Sequence, residues 1–235
     1  MPKRRINNKK RDSKRFAQAK SKIDFSKTYS IADAVALAKE TSTTKFDASV
    51  ELHVNLDIDP KKGDQLIRGT VTLPHGTGKK IAICAIVPEQ FQKEVKAAGA
   101  TVVGGTELID ELAAGRKIDF DIVVTTPDFM KDMAKVAKVL GPKGIMPNPK
   151  TDTVSSNPAK TVEQLSKGKV SFKNDASAIV HAVVGKASFT PANLADNIEA
   201  FMDALNKSKP ATVKGILVKS SYLTTSMGPS IKINA

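Results

Sequence analysis

The chain has 235 residues, 40% hydrophobic and 26% charged, with a formal net charge of +13; that length buries a core without disulfides, and that composition excludes a fibrous or wholly disordered chain. The longest uninterrupted apolar run, Ile81 to Val87, is far too short for a membrane helix, and no apolar stretch follows the basic Met1–Arg15 segment to make it a secretory signal. A single cysteine, Cys84, has no partner for an internal disulfide, which fits a reducing cytoplasm.

The charge is unevenly spread. Residues 1–22 hold ten Lys or Arg against Asp12 alone, a net +9, whereas residues 23–76 carry −2, residues 77–168 carry +2 and residues 169–235 carry +4. A polybasic arm on a much less basic body suits a polyanion, because clustered Lys and Arg displace counterions condensed on phosphates. A solvated tail or a membrane-surface arm would have the same charge. Membrane binding recruits a second signal, such as lipidation or a bulky apolar helix face, and Met1-Pro2 offers no myristoylation site, so nucleic acid is the better partner. With few apolar side chains, the arm is expected to order only on that partner.

In chain order, Ile31 to Glu40 has a helical pattern, and from Phe46 to Leu56 every second residue is apolar, as in a half-buried strand. After the turn-rich stretch Asp57 to Gly63, the alternation Ile67, Gly69, Val71, Leu73 predicts a second strand paired antiparallel with the first. The middle of the chain differs. Ile81 to Val87 and Ile122 to Val124 are apolar on both faces and are separated by helical patterns at Glu89 to Ala98 and Glu107 to Ala114, which suits covered parallel strands. Asp128 to Leu140 reads as a further helix, opened by Thr126-Pro127 and closed by Gly141-Pro142. Val170 and Phe172, then Val180, Ala182 and Val184 across the turn Asn174–Ser177, predict a hairpin. Thr190-Pro191 opens a helix to Lys207, and Ile216 to Leu223 reads as a last strand.

The pattern predicts an α+β split domain with an antiparallel sheet, residues 23–76 plus 169–235, interrupted by an inserted doubly wound α/β (Rossmann-like) domain, residues 77–168, behind the basic arm of residues 1–22. Glycines mark both junctions, in Pro74-His75-Gly76-Thr77-Gly78 and Lys167-Gly168-Lys169.

An α/β insert raises the prospect of a metabolic enzyme with a nucleotide-binding domain and an incidental basic tail. Its motifs fail. Leu73 to Lys80 lacks the leading Gly and the hydroxyl of a phosphate-binding loop and precedes a strand instead of following one; Gly99 to Gly105 has no G-x-G-x-x-G and reads as a connector. His53, His75 and His181 are scattered without metal-ligand spacing, and Cys84 lies in an apolar run that suits an inert thiol. Two carboxylate pairs, Asp57 with Asp59 and Asp119 with Asp121, are no more than chance among 24 acidic residues. No catalytic residue, metal or cofactor is expected.

Two irregular segments stand out. Gly141 to Lys150 packs three Pro and two Gly into ten residues, a rigid loop that ends the helix before it; Thr224 to Ser230 sets hydroxyls, a thioether and glycine backbone together, groups that meet bases, 2′-hydroxyls and sugar-phosphate closely. With Lys45-Phe46-Asp47 and Arg68 to Gly76, these segments closely resemble the bacterial type of the ribosomal protein L-one family, and the motifs run in order over nearly the whole chain after the arm.

The resemblance implies a structural constituent of the large ribosomal subunit, cytoplasmic and ribosome-bound. It implies binding to large-subunit ribosomal RNA in a mobile stalk near the tRNA exit site, release of deacylated tRNA, and repression of the protein's own mRNA. It places Lys45, Phe46 and Ser49 on one side of the RNA surface and Thr225, Ser226, Met227 and Gly228 on the other, with Lys173 as a further neighbour and Gly76 and Gly168 as hinges. Alternation alone puts Phe46 on the buried strand face; the resemblance puts it at the RNA. Two residues depart from the family pattern: Ser226 stands where Thr is frequent, and Asp152 replaces a common Gly, which Asp tolerates if the position needs positive φ.

Overall fold

The computed structural model describes residues 12–210, 212–213 and 215–234. Half of the basic arm, residues 1–11, lies outside them. Its remainder differs from the expected unstructured arm: Lys14–Lys20 form a helix (α1) whose first turn is capped by the Ser13 hydroxyl, which accepts from Phe16 N–H, and Ala19 is buried. The ion pair of Lys22 with Glu40, at 2.7 Å, ties this segment to the next helix.

That helix, α2 (Ile31–Thr41), opens with Ser30 as cap and leads to the strand β1 (Ser49–Leu56). Val50, Leu52, Val54 and Leu56 point into the core and the residues between them do not, so the alternation holds from Ser49 onward. Phe46 lies before the strand and off its buried face. The strand β2 (Arg68–Thr72) follows; it does not pair with β1 as expected. The strands β3 (Ile83–Ile86), β4 (Val102–Gly104) and β5 (Ile122–Thr125) form a parallel sheet in the order β4-β3-β5. Between them run α3 (Glu89–Ala97) and α4 (Thr106–Ala113). The segment Gly99 to Gly105, read as a connector, contains β4, whose two valines satisfy the edge of β3.

The helix expected from Asp128 to Leu140 is broken: 3-10 turns at Pro127–Phe129 and Ala134–Val136 flank α5 (Met130–Met133), and α6 runs Ala137–Lys143. Gly141 and Pro142 sit inside α6 instead of ending it; Pro142 falls in the last turn, where its missing N–H forfeits a single bond, and Gly144 closes the helix at φ 73°. The Pro-rich loop then settles around Asn148 and Thr153: Asn148 N–H donates to Thr153 Oγ1 at 2.8 Å, and Lys150 N–H donates to Asn148 Oδ1 at 2.9 Å. After α7 (Pro158–Ser166) come β6 (Lys169–Lys173), β7 (Ile179–Lys186), α8 (Pro191–Lys207), β8 (Val218–Thr225) and β9 (Ile231–Ile233).

The larger sheet is antiparallel with the order β7-β1-β8-β9. Both edges of β1 are occupied by the eight-residue strands β7 and β8, so the shorter β2 pairs instead with β6 in a two-stranded ribbon. The predicted hairpin of β6 with β7 is therefore not a ladder. A single bridge, Asn174 to Val180, joins them, because Asn174 Oδ1 accepts Ile67 N–H and the Asp175 carboxylate accepts Ser177 and Ile179 N–H, turning the chain out of one sheet into the other. Ile216, expected to begin β8, is exposed before it.

The structure is thus mixed α/β, with an antiparallel and a parallel sheet. One hydrophobic cluster is drawn from residues between Ile23 and Leu73 and between Val170 and Ile233, with Leu194, Ile198, Phe201 and Leu205 of α8 fully buried in it where α8 packs against α2, β2 and β7. Each such side chain contributes about 1.5–3 kcal/mol of burial. Two other clusters cover opposite faces of the parallel sheet, one with α4 and α6, the other with α3 and α7, and take their residues from between Ile81 and Leu165.

Candidate nucleic-acid interface

At one end of the larger sheet, β1 begins while β7 and β8 end, so Ser49 lies opposite Lys186 and Val50 opposite Thr225. Beyond the paired residues, Ser226 N–H donates to Ser49 O at 2.9 Å, and Ser49 N–H donates to the Ser226 hydroxyl at 3.2 Å. The two serines that the resemblance placed on opposite sides of the surface are thereby locked together. Lys186 was not singled out in the sequence, yet its ammonium donates to Ser49 Oγ at 2.9 Å; its register at the end of β7 was the available signal.

The loop after β8 turns sharply. Met227 adopts φ 62°, Gly228 N–H donates to Thr225 O at 2.8 Å, and a Cβ on Gly228 would stand 2.2 Å from Thr225 Oγ1. Only glycine fits there. The Thr224 hydroxyl donates to Gly228 O and Pro229 O, while the Thr225 hydroxyl is buried beneath the turn without a hydrogen-bond partner among the described residues. The result is a fixed platform from which the Met227 side chain projects, 72% exposed.

On the β1 side, the Asp47 carboxylate accepts from Ser188 N–H at 3.1 Å and from the Ser188 hydroxyl at 2.9 Å, and Ala187 N–H donates to Ala48 O. These bonds pin the chain between Lys45 and Ser49 and leave Phe46 57% exposed. Its position agrees with the resemblance and departs from the alternation. Two large apolar side chains, paired hydroxyls and the Lys45 and Lys186 ammonium groups therefore lie at one end of one sheet, the mixture that stacks on bases and meets sugar-phosphate.

Lys173 is not brought to this end. It closes β6 opposite Arg68, beside the start of β7, and Ile179 to Lys186 then spans about 23 Å of strand. It lines instead a cleft of about 590 Å³ with Arg68, Lys169 and the loop Gly141 to Asn148. Asp152 reaches across near this cleft: it adopts the left-handed conformation at φ 53°, and its carboxylate meets the largely buried Lys169 ammonium at 2.7 Å and accepts from Thr70. The position at which the resemblance made Gly common thus adopts positive φ, and here the side chain gains an ion pair in return.

Gly76 and Gly168 meet. Both have positive φ, and a Cβ on Gly168 would lie 2.5 Å from Gly76 Cα, so two backbone crossings touch with no room for a side chain. The fully buried Asn197 of α8 holds the first crossing: its Oδ1 accepts His75 N–H at 3.1 Å, and its Nδ2 donates to Gly76 O at 3.0 Å and Val184 O at 2.7 Å. Burial pushes the Cys84 thiol up to about 12, Asp57 pairs with Lys219, and the Lys79 ammonium holds Asp121 below the usual carboxylate range.

Comparison with known proteins agrees in extent with the motifs. The sequence profile of the Ribosomal protein L1p/L10e family matches residues 38–229. The chain is 48% identical over 221 residues to the large ribosomal subunit protein uL1 of Deinococcus radiodurans, covering 94% of each chain. It is 47% identical over 222 residues to the uL1 proteins of Thermus thermophilus and of Streptococcus thermophilus, covering 94% of this chain and 96% of each of those. With the profile spanning most of the chain and near-half identity over almost its full length, this chain belongs to the ribosomal protein L1p/L10e family.

Proposed function

We propose that this chain is a constituent of the large ribosomal subunit that binds large-subunit ribosomal RNA through Lys45, Phe46, Ser49, Lys186, Ser226, Met227 and Gly228. The observation that carries the reading is the pair of exposed apolar side chains, Phe46 and Met227, held on hydrogen-bonded backbone beside paired serines. An exposed apolar pair on a rigid frame is costly unless a partner covers it, and unstacked bases do so. Membership in a ribosomal protein family replaces the metabolic-enzyme reading.

The same reading divides the chain into an RNA-binding body, residues 23–76 and 169–235, an inserted α/β unit, residues 77–168, and a basic arm, residues 1–22. The insert swings about Gly76 and Gly168 as part of a mobile stalk that meets deacylated tRNA near the exit site, and an mRNA fold similar to the ribosomal site allows the chain to repress its own translation. The separate hydrophobic clusters and the touching glycine crossings support this division.

Met227→Glu tests the site, since it sets a carboxylate against RNA in a largely desolvated patch while removing no buried contact. Affinity for a ribosomal RNA fragment, measured by filter binding, is expected to fall at least tenfold, about 1.4 kcal/mol, with an unchanged circular dichroism spectrum. Retained affinity removes the loop from the interface.

A further inference from the structure

His53 of β1 and His181 of β7 are direct cross-strand partners on the face of the sheet turned away from the core. Their rings meet edge to face, and their Nδ1 atoms stand 2.7 Å apart. Each ring has a carboxylate near its other nitrogen, beyond direct hydrogen-bond reach: Glu51 lies 3.7 Å from His53 Nε2, and Asp175 lies 3.6 Å from His181 Nε2. Asp175 is fixed in place by the backbone N–H groups of Ile179 and Ser177, both of which donate to its carboxylate.

A neutral imidazole has one N–H and one lone pair, and a neighbouring carboxylate draws the N–H to its own side. In the ion-free chain the 2.7 Å contact is an N–H···N hydrogen bond between the two Nδ1 atoms; when both rings carry their proton on Nε2, beside Glu51 and Asp175, the two Nδ1 lone pairs face each other and a cation takes the place of the shared proton. Two bonds of about 2.0 Å in cis positions at a right angle set their nitrogens about 2.8 Å apart, close to the separation here, whereas a tetrahedral angle would need about 3.3 Å. Right-angled nitrogen donors are the preference of tetragonal and octahedral divalent transition metals.

We propose that His53 and His181 bind one divalent transition-metal ion of tetragonal preference, such as Cu²⁺, through their Nδ1 atoms, with Glu51 and Asp175 as positioning residues near Nε2. Among the described residues no group of three or more His, Cys, Asp or Glu side chains is arranged to hold a metal, so water completes the coordination shell and the ion exchanges with solvent. The ion joins β1 to β7 on the open side of the sheet, independently of the RNA patch at its end.

Cu²⁺ titrated into the full chain provides the test. One saturable equivalent is expected, with a paramagnetic resonance spectrum split by two imidazole nitrogens. His53→Gln and His181→Gln should each weaken binding at least about tenfold, and Glu51→Gln measurably less, with unchanged circular dichroism. His75→Gln, which alters the third histidine, should leave binding as it was. A spectrum with one nitrogen or none on the unaltered chain overturns the proposal without reference to any variant. Binding that is not saturable, or equal affinity in the His53 and His181 variants, overturns it as well.

Discussion

Met227 sits in the left-handed region at φ 62°, where a residue bearing a Cβ costs about 1–2 kcal/mol, a cost that the proposed RNA contact would offset. Phe46 is its counterpart. Because it is exposed and lies before β1, Phe46→Ala should change thermal stability by less than about 0.5 kcal/mol while weakening RNA binding by about 1–3 kcal/mol, the range for loss of a base-stacking aromatic. Calorimetric melting and binding measured on the same preparation check both halves; a large stability loss with retained affinity would return Phe46 to the core. At this scale the sequence was partly readable. Alternation from Ala48 onward told the buried face from the open one, but it said nothing of where the strand begins, because that is decided by the Asp47 bonds to Ser188, a residue 141 positions away. Lys173 failed for a similar reason: its distance from Ser49 depends on which strand pairs with which.

Among elements, α8 holds the architecture together, since its apolar stripe packs against α2, β2 and β7 while Asn197 reaches past it to three backbone groups. Asn197→Ala strands His75 N–H, Gly76 O and Val184 O, and unpaired buried groups cost about 1–3 kcal/mol each. Destabilisation of at least about 2 kcal/mol is expected in urea unfolding, with Asn197→Asp recovering only the bond from His75 N–H. The helix itself was visible in the sequence from its Thr190-Pro191 opening and its spacing, as were the runs that became β3 and β5. Pairing was not. The expectation that β2 joins β1 and that β6 joins β7 used only proximity along the chain, and it lost to the longer ladders that β7 and β8 make with β1. The breaks in the Asp128 to Leu140 helix likewise carry no mark in its apolar spacing.

For the whole molecule, the proposed division of labour predicts that residues 77–168 are dispensable for RNA affinity, since every residue of the proposed patch lies outside them. The contact of Gly168 with Gly76 means a short Gly linker from Gly76 to Lys169 closes the gap without distortion. The shortened chain should bind a ribosomal RNA fragment within about one kcal/mol of the intact protein, roughly fivefold; a folded product that loses a hundredfold, about 2.7 kcal/mol, would place part of the interface in the insert. The twin glycine crossing also bears on how the protein melts. Two strands of backbone without side chains, with the polar contacts of Asp152 to Lys169 and Thr70 beside them, add little apolar burial between the cores on either side, so unfolding of one imposes a small penalty on the other. Differential scanning calorimetry should then resolve two transitions, with a calorimetric enthalpy above the van 't Hoff value for either. A ligand that binds only one folded core raises only that core's midpoint, by mass action. Added RNA should therefore move the melting of the antiparallel core upward and leave that of the parallel-sheet core in place, so that occupancy on one side of the crossing is thermodynamically invisible from the other.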